Sequence, residues 1–332
     1  MTSSDERAVR LKSGISFENA DKSVRPQDDL YRFMNGMYIK NHEIPADRAV
    51  DGAFNTLRIK AEKEVMDIID ELSKVEQPEG STAKKIGDLY RSFMDEDRIE
   101  KLGLSPIAAD IATVLSIKNP EEFIEHMGEF ETRGAGGLFY FVVYGDAQDS
   151  TTNIGYTGQS GISLPDEAYY REEEYEPIRA AFLLHMQNMF NLAGIDDPHG
   201  HSARVLALET EIASHHWDQV KCRDAVLTYN KKSYQELQDL SQGFDWPRYL
   251  NAAKLPEYAV EKVIVSQPSF FTGLGSMMEK FEVEKWRSWL LWHLISGSAP
   301  YLHKAMVDEN FEFYGKVLSG IPQISERWKR GV

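Results

Sequence analysis

The chain has 332 residues, with 37 lysines and arginines against 53 aspartates and glutamates, so its formal net charge is −16 at pH 7. This acidic balance disfavours nucleic acid and anionic membrane surfaces as partners, because both carry negative charge. The single cysteine, Cys222, excludes an intramolecular disulfide, and the absence of an apolar leader or membrane-length apolar run predicts a cytoplasmic protein, with export by a non-standard route left open.

The N-terminal third predicts a polar arm and then a series of helices. Residues 1–28 lack periodicity and are expected to form a flexible arm, followed by one lobe over residues 29–332. The stretch 30–41 predicts a short helix that ends near Gly36. Further on, apolar residues at helical spacing predict an amphipathic helix; they are Leu57, Ala61, Val65, Ile68, Ile69 and Leu72. Residues 81–99 repeat this pattern, and Pro106 and Pro120 are typical of helix first turns.

An aromatic and β-branched stretch interrupts the helices. Residues 136–146 are bounded by glycines, which predicts a strand. "DAQDS" then supplies turn residues before a second strand. We therefore predict a small antiparallel hairpin, in which Phe139, Tyr140 and Phe141 serve the sheet core rather than a ligand platform.

Helical patterns return in the C-terminal half, for example in "YQELQDL", "WPRYLNAA" and "VEKWRSWLLWHLISGSAPYL". The final segment, "ISERWKRGV", ends within a helical pattern and without a terminating signal or a tail, which predicts a chain cut short of its natural end. About a dozen helices and one hairpin place the fold in the mainly α class, as a multi-helix lobe with one small antiparallel β-hairpin.

The histidines do not form a helical zinc face. His42-Glu43 begins the H-E-x-x-H pattern of zinc proteases, but the position four after His42 is an alanine that follows a proline. No two of the nine histidines are three or four residues apart. Two close pairs stay open as ligand sets: His199/His201 and His215/His216. Neither pair has an evident third ligand, so we predict no metal site and no catalytic residue in this chain.

Five stretches occur in the order and spacing of a known family: "DDLYRFMNGMYIKNHEIPADRAVDGAFNTLR", "KKIGDLYRSFMDED", "QSGISLPDEAYY", "TYNKKSYQEL" and "FEFYGKVLSGIPQISERWKRGV". Together they resemble the N-terminal half of neprilysin-type zinc metallopeptidases, the family that includes endothelin-converting enzymes and bacterial oligopeptidases. The resemblance runs from about Asp28 to Val332. The sequences "IPADRAVDGAF" and "RWKRGV" most resemble those of actinobacterial members.

The resemblance implies a helical lobe that covers a thermolysin-like zinc lobe. It places the zinc ligands in a C-terminal lobe outside this chain, and no cofactor in the chain itself. We therefore expect the substrate-enclosing, size-selecting lobe of a zinc metalloendopeptidase for oligopeptides, inactive on its own. Its expected partners are the oligopeptide and the C-terminal lobe, and an uncovered inner face would favour self-association. The alternatives are a standalone, non-catalytic peptide-binding module and a purely structural scaffold.

One substrate-contacting stretch of the family falls within this half. After the "IPADR" turn, members such as neprilysin carry R-Y-G-x-F-D, whose arginine and aspartate help to bind the free carboxylate of short substrates. Aligned on the glycine and phenylalanine, these positions hold Val50 and Asn55, which favours endopeptidase over dipeptidyl-carboxypeptidase action. Arg48 lies two residues away, as a substrate contact or as an arginine that fixes the turn. The candidate substrate-binding residues are thus Arg48, Phe54 and Asn55, and Asp51 is expected to cap the following helix.

Overall fold

The computed structural model describes residues 14–332, and the first thirteen residues of the predicted arm lie outside the described residues. The described chain is mainly helical, which confirms the predicted fold class. Its α-helices are α1 (Leu30–Asn41), α2 (Ala53–Lys74), α3 (Thr82–Met94), α4 (Glu96–Leu102), α5 (Ala108–Ser116), α6 (Pro120–Glu131), α7 (Ala168–Arg171), α8 (Glu176–Leu192), α9 (Pro198–Ser214), α10 (Gln219–Cys222), α11 (Tyr234–Leu240), α12 (Trp246–Ala252), α13 (Pro268–Glu279), α14 (Val283–Ser298), α15 (Lys304–Asn310) and α16 (Arg327–Gly331). Its strands are β1 (Phe139–Asp146), β2 (Asp149–Gln159), β3 (Lys231–Ser233) and β4 (Lys262–Val265).

Helix α1 extends five residues beyond the predicted end at Gly36, because that glycine serves packing rather than termination. A Cβ atom at Gly36 would lie 2.5 Å from the Cβ of Asp21. The Asp21 carboxylate accepts a 2.6 Å bond from Lys40 Nζ and further bonds from Ser23, which lower its pKa to about 2. The segment before α1 is therefore tied to the last turn of that helix.

The predicted hairpin is confirmed as β1 and β2, and it belongs to a larger sheet. The strand order is β1-β2-β4-β3, with β2 and β4 parallel and the other two pairs antiparallel. Strand β4 is buried over Val263, Ile264 and Val265. The sheet thus joins a local hairpin to strands from residues 231–233 and 262–265, about a hundred residues further along the chain.

The main core lies between the sheet and the surrounding helices. Phe139 is 2% exposed, and its ring centroid lies 5.0–5.7 Å from those of Phe244, Trp246, Tyr249 and Phe271. These contacts confirm a core role for Phe139, and Phe141 packs partly buried against the same core. Tyr140 is 38% exposed, so its predicted core role is wrong. Helix α14 crosses the same core, and it packs against α5, α6, α8 and α9.

A buried carboxylate fixes the loop between β2 and α7. Glu209 on α9 is fully buried and accepts bonds from the backbone N–H and the hydroxyl of Ser163 and from the hydroxyl of Tyr170. His293 Nε2 on α14 lies 3.1 Å from the same carboxylate. Because every one of these partners is itself held by the fold, this network rigidifies the loop rather than offering a reaction centre.

Candidate functional site

The turn between α1 and α2 carries the residues predicted to contact substrate. His42 Nε2 lies 2.7 Å from Asp51 Oδ2, and the His42 ring stacks on Tyr38 at 4.4 Å. Asp51 Oδ1 also accepts the Gly52 N–H at 2.8 Å, and these two partners lower the pKa of the Asp51 carboxyl, His42 first. The cap position of α2 is Gly52, so the expected capping role of Asp51 is wrong. Asp51 closes the turn instead, with a histidine whose role the sequence pattern did not reveal.

Arg48 lies inside this turn, beside Asp47, which also binds the C-terminal segment. Its Nε donates a 3.1 Å bond to Asp47 Oδ1, while Lys329 Nζ contacts Asp47 Oδ2 at 3.0 Å. The bonds from Arg48 and Lys329 lower the pKa of the Asp47 carboxyl. The Arg48 side chain is 12% exposed, and its Nη1 has no hydrogen-bond partner among the described residues. The C-terminal segment also binds this turn through its backbone, because the Gln323 N–H donates a 3.0 Å bond to the Ala46 carbonyl.

The other two candidates, Phe54 and Asn55, lie in the first turn of α2, and their side chains have different surroundings from that of Arg48. Phe54 is 90% exposed, and Asn55 Nδ2 donates a 3.1 Å bond to the Val50 carbonyl. The fold therefore places Arg48, Phe54 and Asn55 on one turn, but only Phe54 presents its side chain fully to solvent. A substrate-binding role for the three residues stays a prediction.

Helix α2 continues from Phe54 with an uncovered apolar face, which we call the α2 stripe. It buries only Ile69 over 22 residues and packs against α3. The α2 stripe follows the helical repeat and consists of Phe54, Leu57, Ala61, Val65 and Ile68, all exposed. The sequence pattern that predicted an amphipathic helix is confirmed, but the described chain leaves this face without a cover. Contiguous exposed apolar surface of this kind marks an interaction site.

The described residues do not fit a metal site. They contain no group of three or more histidine, cysteine, aspartate or glutamate side chains that could hold a metal ion. In the two histidine pairs left open by sequence, His201 Nδ1 lies 2.9 Å from Ser288 Oγ and His216 Nε2 lies 2.9 Å from the Ser160 carbonyl. Burial lowers the pKa of His216 to about 4. Among residues 14–332, none of the helices combines the length with the apolar character that a membrane span requires.

Comparisons with known proteins cover nearly the whole chain. The profile of peptidase family M13 matches residues 26–332. The neutral endopeptidase of Lactobacillus helveticus is 27% identical over 97% of this chain and 50% of its own length. The rat (Rattus norvegicus) endothelin-converting enzyme 1 is 26% identical over 98% of this chain and 44% of its own length.

Solved structures agree with this match. The crystal structure of the Mycobacterium tuberculosis zinc metalloprotease ZMP1 in complex with an inhibitor is 41% identical, with a TM-score of 0.91, over 96% of this chain and 49% of that one. The cryo-electron microscopy structure of the same protease in an open state has a TM-score of 0.82 at 41% identity, over 93% of this chain and 48% of that one. The chain thus spans about half the length of the proteins that it matches.

Proposed function

The chain belongs to peptidase family M13, and from this membership we propose that it is the substrate-enclosing, size-selecting lobe of a zinc-dependent metalloendopeptidase for oligopeptides. In this proposal a C-terminal lobe holds the zinc, which would activate a water molecule for attack on the peptide bond. The residues of this chain enclose and orient the peptide, and they restrict its size. The chain by itself is inactive.

Two observations support a division of labour between two lobes. The described residues offer no ligand set for zinc, and the matched relatives are about twice as long as this chain. The TM-score of 0.91 to half of a zinc metalloprotease is consistent with a lobe that keeps its fold beside a second one.

The observation that carries the two-lobe part of the proposal is the α2 stripe. An amphipathic surface helix normally turns its apolar face to the core, whereas α2 exposes Leu57 by 65% and Ile68 by 56%. Burial of such residues against a partner would be worth about 1.5–3 kcal/mol each. The stripe starts at Phe54, beside the Arg48 turn, so a lobe that covers it would also lie next to the predicted substrate contacts.

A hydrolysis assay tests the enzymatic part of the proposal. We expect no cleavage when the purified chain is incubated with zinc and quenched fluorescent oligopeptides. Turnover that a chelator abolishes would contradict the proposal. At the gene level, a reading frame that continues beyond Val332 into H-E-x-x-H supports it, while a stop codon there favours the standalone peptide-binding module.

Sedimentation velocity tests the interface part. If the α2 stripe is uncovered in the isolated chain, we expect concentration-dependent self-association. The double variant Leu57→Gln/Ile68→Gln should weaken it strongly. The control is Lys63→Gln on the opposite face of α2, which should change nothing. Equal association of both variants would assign the self-association to another surface and remove the main support for the interface.

A further inference from the structure

The outer edge of β1 is an unprotected strand edge. β1 is the first strand in the sheet order, and within residues 14–332 it pairs only with β2. Natural edge strands are protected by lysine, proline, bulges or inward-pointing charges. Between Phe139 and Tyr144 the sequence "FYFVVY" contains none of these residues, and the register shift comes later, at Gly145/Asp146. Val142, Val143 and Tyr144 are 50%, 61% and 76% exposed.

The direction of each backbone group along β1 follows from the neighbouring strands. The Thr157 carbonyl accepts the Ser266 N–H, so Thr157 points toward β4 and away from β1. Strand residues alternate in direction. Through the register Tyr156↔Val142 and Thr157↔Phe141, the backbone groups of Val142 point toward β2. Those of Phe141 and Val143 point outward, and among the described residues they have no hydrogen-bond partner.

We propose that this edge binds an extended oligopeptide as an additional antiparallel strand. The choice of a peptide as the ligand rests on the proposed peptidase function. The outward N–H and C=O groups of Phe141 and Val143 would form the ladder. This contact tolerates many sequences, because the main chain supplies the bonds. Val142 and Tyr144 share one face of β1, so they would contact alternate side chains of the peptide and favour apolar residues there.

Charge selects the occupant and its orientation. A short peptide brings a free ammonium group to this edge, whereas β1 of a second copy lies inside its chain and brings none. The β1–β2 turn carries two acidic side chains. Asp146 is buried and paired with Lys231 at 2.6 Å, but Asp149 has no cationic partner among the described residues. An antiparallel peptide would place its amino end at this turn, where Asp149 attracts the ammonium group.

A proline substitution tests the ladder directly. Val143→Pro removes an outward N–H and leaves the bonds to β2 in place, because proline is tolerated at edge positions of this kind. Val143→Thr is the matched control, since it keeps the N–H. The probe is an octapeptide of alternating valine and threonine, with a free amine and a dye at its carboxyl end, followed by fluorescence anisotropy. We expect Val143→Pro to bind about tenfold more weakly than the wild type and Val143→Thr to bind like it.

Equal affinities of the two variants would overturn the proposal while leaving the proposed function of the lobe intact. The amide exchange of Phe141 and Val143 in the wild-type chain provides a second measurement, in case the proline variant does not fold. The octapeptide should slow both amides, and protection elsewhere in place of these amides also overturns the proposal. If acetylation of the octapeptide leaves its affinity unchanged, the antiparallel orientation is wrong. A dimer that Val143→Pro abolishes would assign the edge to a second copy instead of a peptide.

Discussion

We predict that Glu131 makes the unfolding free energy of this chain depend on pH near neutrality. Its carboxyl lies buried at the end of α6, where Oε2 accepts the Tyr249 hydroxyl and Oε1 has no partner among the described residues. Oε1 lies against Gly137, so closely that a Cβ there would overlap with it. Burial raises the pKa of Glu131 from 4.5 to about 7, despite the hydrogen bond from Tyr249.

The sign and size of the effect follow from proton linkage. Between pH 4.5 and about 7, the folded chain holds the Glu131 proton more tightly than the unfolded chain, so the free energy of unfolding falls as pH rises through this window. At 1.36 kcal/mol per pKa unit, the shift corresponds to about 3 kcal/mol, most of it lost by about pH 7. Glu131→Gln imitates the neutral acid and should therefore lose this dependence.

Urea unfolding followed by tryptophan fluorescence, repeated from about pH 5 to about pH 8, measures the effect. We expect the unfolding free energy of the wild type to fall by about 2–3 kcal/mol relative to Glu131→Gln over this range. The control Glu71→Gln replaces an exposed glutamate on α2 and should track the wild type. Parallel pH profiles of the wild type and Glu131→Gln would refute the reasoning, because they would show that the carboxyl is equally solvated in both states.

Three further outcomes can be measured. Phe139→Ala opens a cavity in the aromatic core and should cost about 3–5 kcal/mol of unfolding free energy, measured by urea titration; a cost below about 1 kcal/mol would contradict the packing. Asp47→Asn should cost about 1–3 kcal/mol at neutral pH and speed tryptic cleavage at Lys329, and because the pKa of Asp47 is lowered in the fold, the difference should vanish as pH falls through that pKa. Burial raises the pKa of the Cys222 thiol, so iodoacetamide should react much more slowly at neutral pH with the folded chain than with the urea-unfolded chain; equal rates would show that the thiol is accessible.

Local patterns predicted individual elements well. "YQELQDL" coincides with α11, where Ser233 and Glu236 form a capping box. Pro120 begins α6 after the Asn119 cap, as its position predicted. Both elements are determined by side chains within one or two turns of the helix end, which is why the sequence alone suffices for them.

Elements that depend on distant partners were not predictable in this way. The strand β4 pairs in parallel with β2, about a hundred residues earlier in the chain, and no periodicity in "KVIV" reveals that choice. Helix α13, "PSFFTGLGSMME", was not predicted. Most of its residues are buried, and its glycines let neighbouring segments approach closely; Gly275, for example, leaves no room for a Cβ beside the Gln242 carbonyl. A buried helix of this type lacks the polar face on which the helical pattern depends.

The candidate site combines both kinds of information. The spacing of Leu57, Val65 and Ile68 predicts which face of α2 is apolar, but only the fold shows that residues 14–332 leave this face uncovered. Likewise, the motif alignment places Arg48 near the substrate-contacting stretch, whereas only the fold shows that Arg48 shares Asp47 with Lys329, almost three hundred residues away. The C-terminal segment binds the turn from which α2 starts, through Lys329 to Asp47 and through the Gln323 N–H to the Ala46 carbonyl. We therefore expect the C-terminal segment to help orient the α2 stripe, although none of its own residues belongs to that stripe.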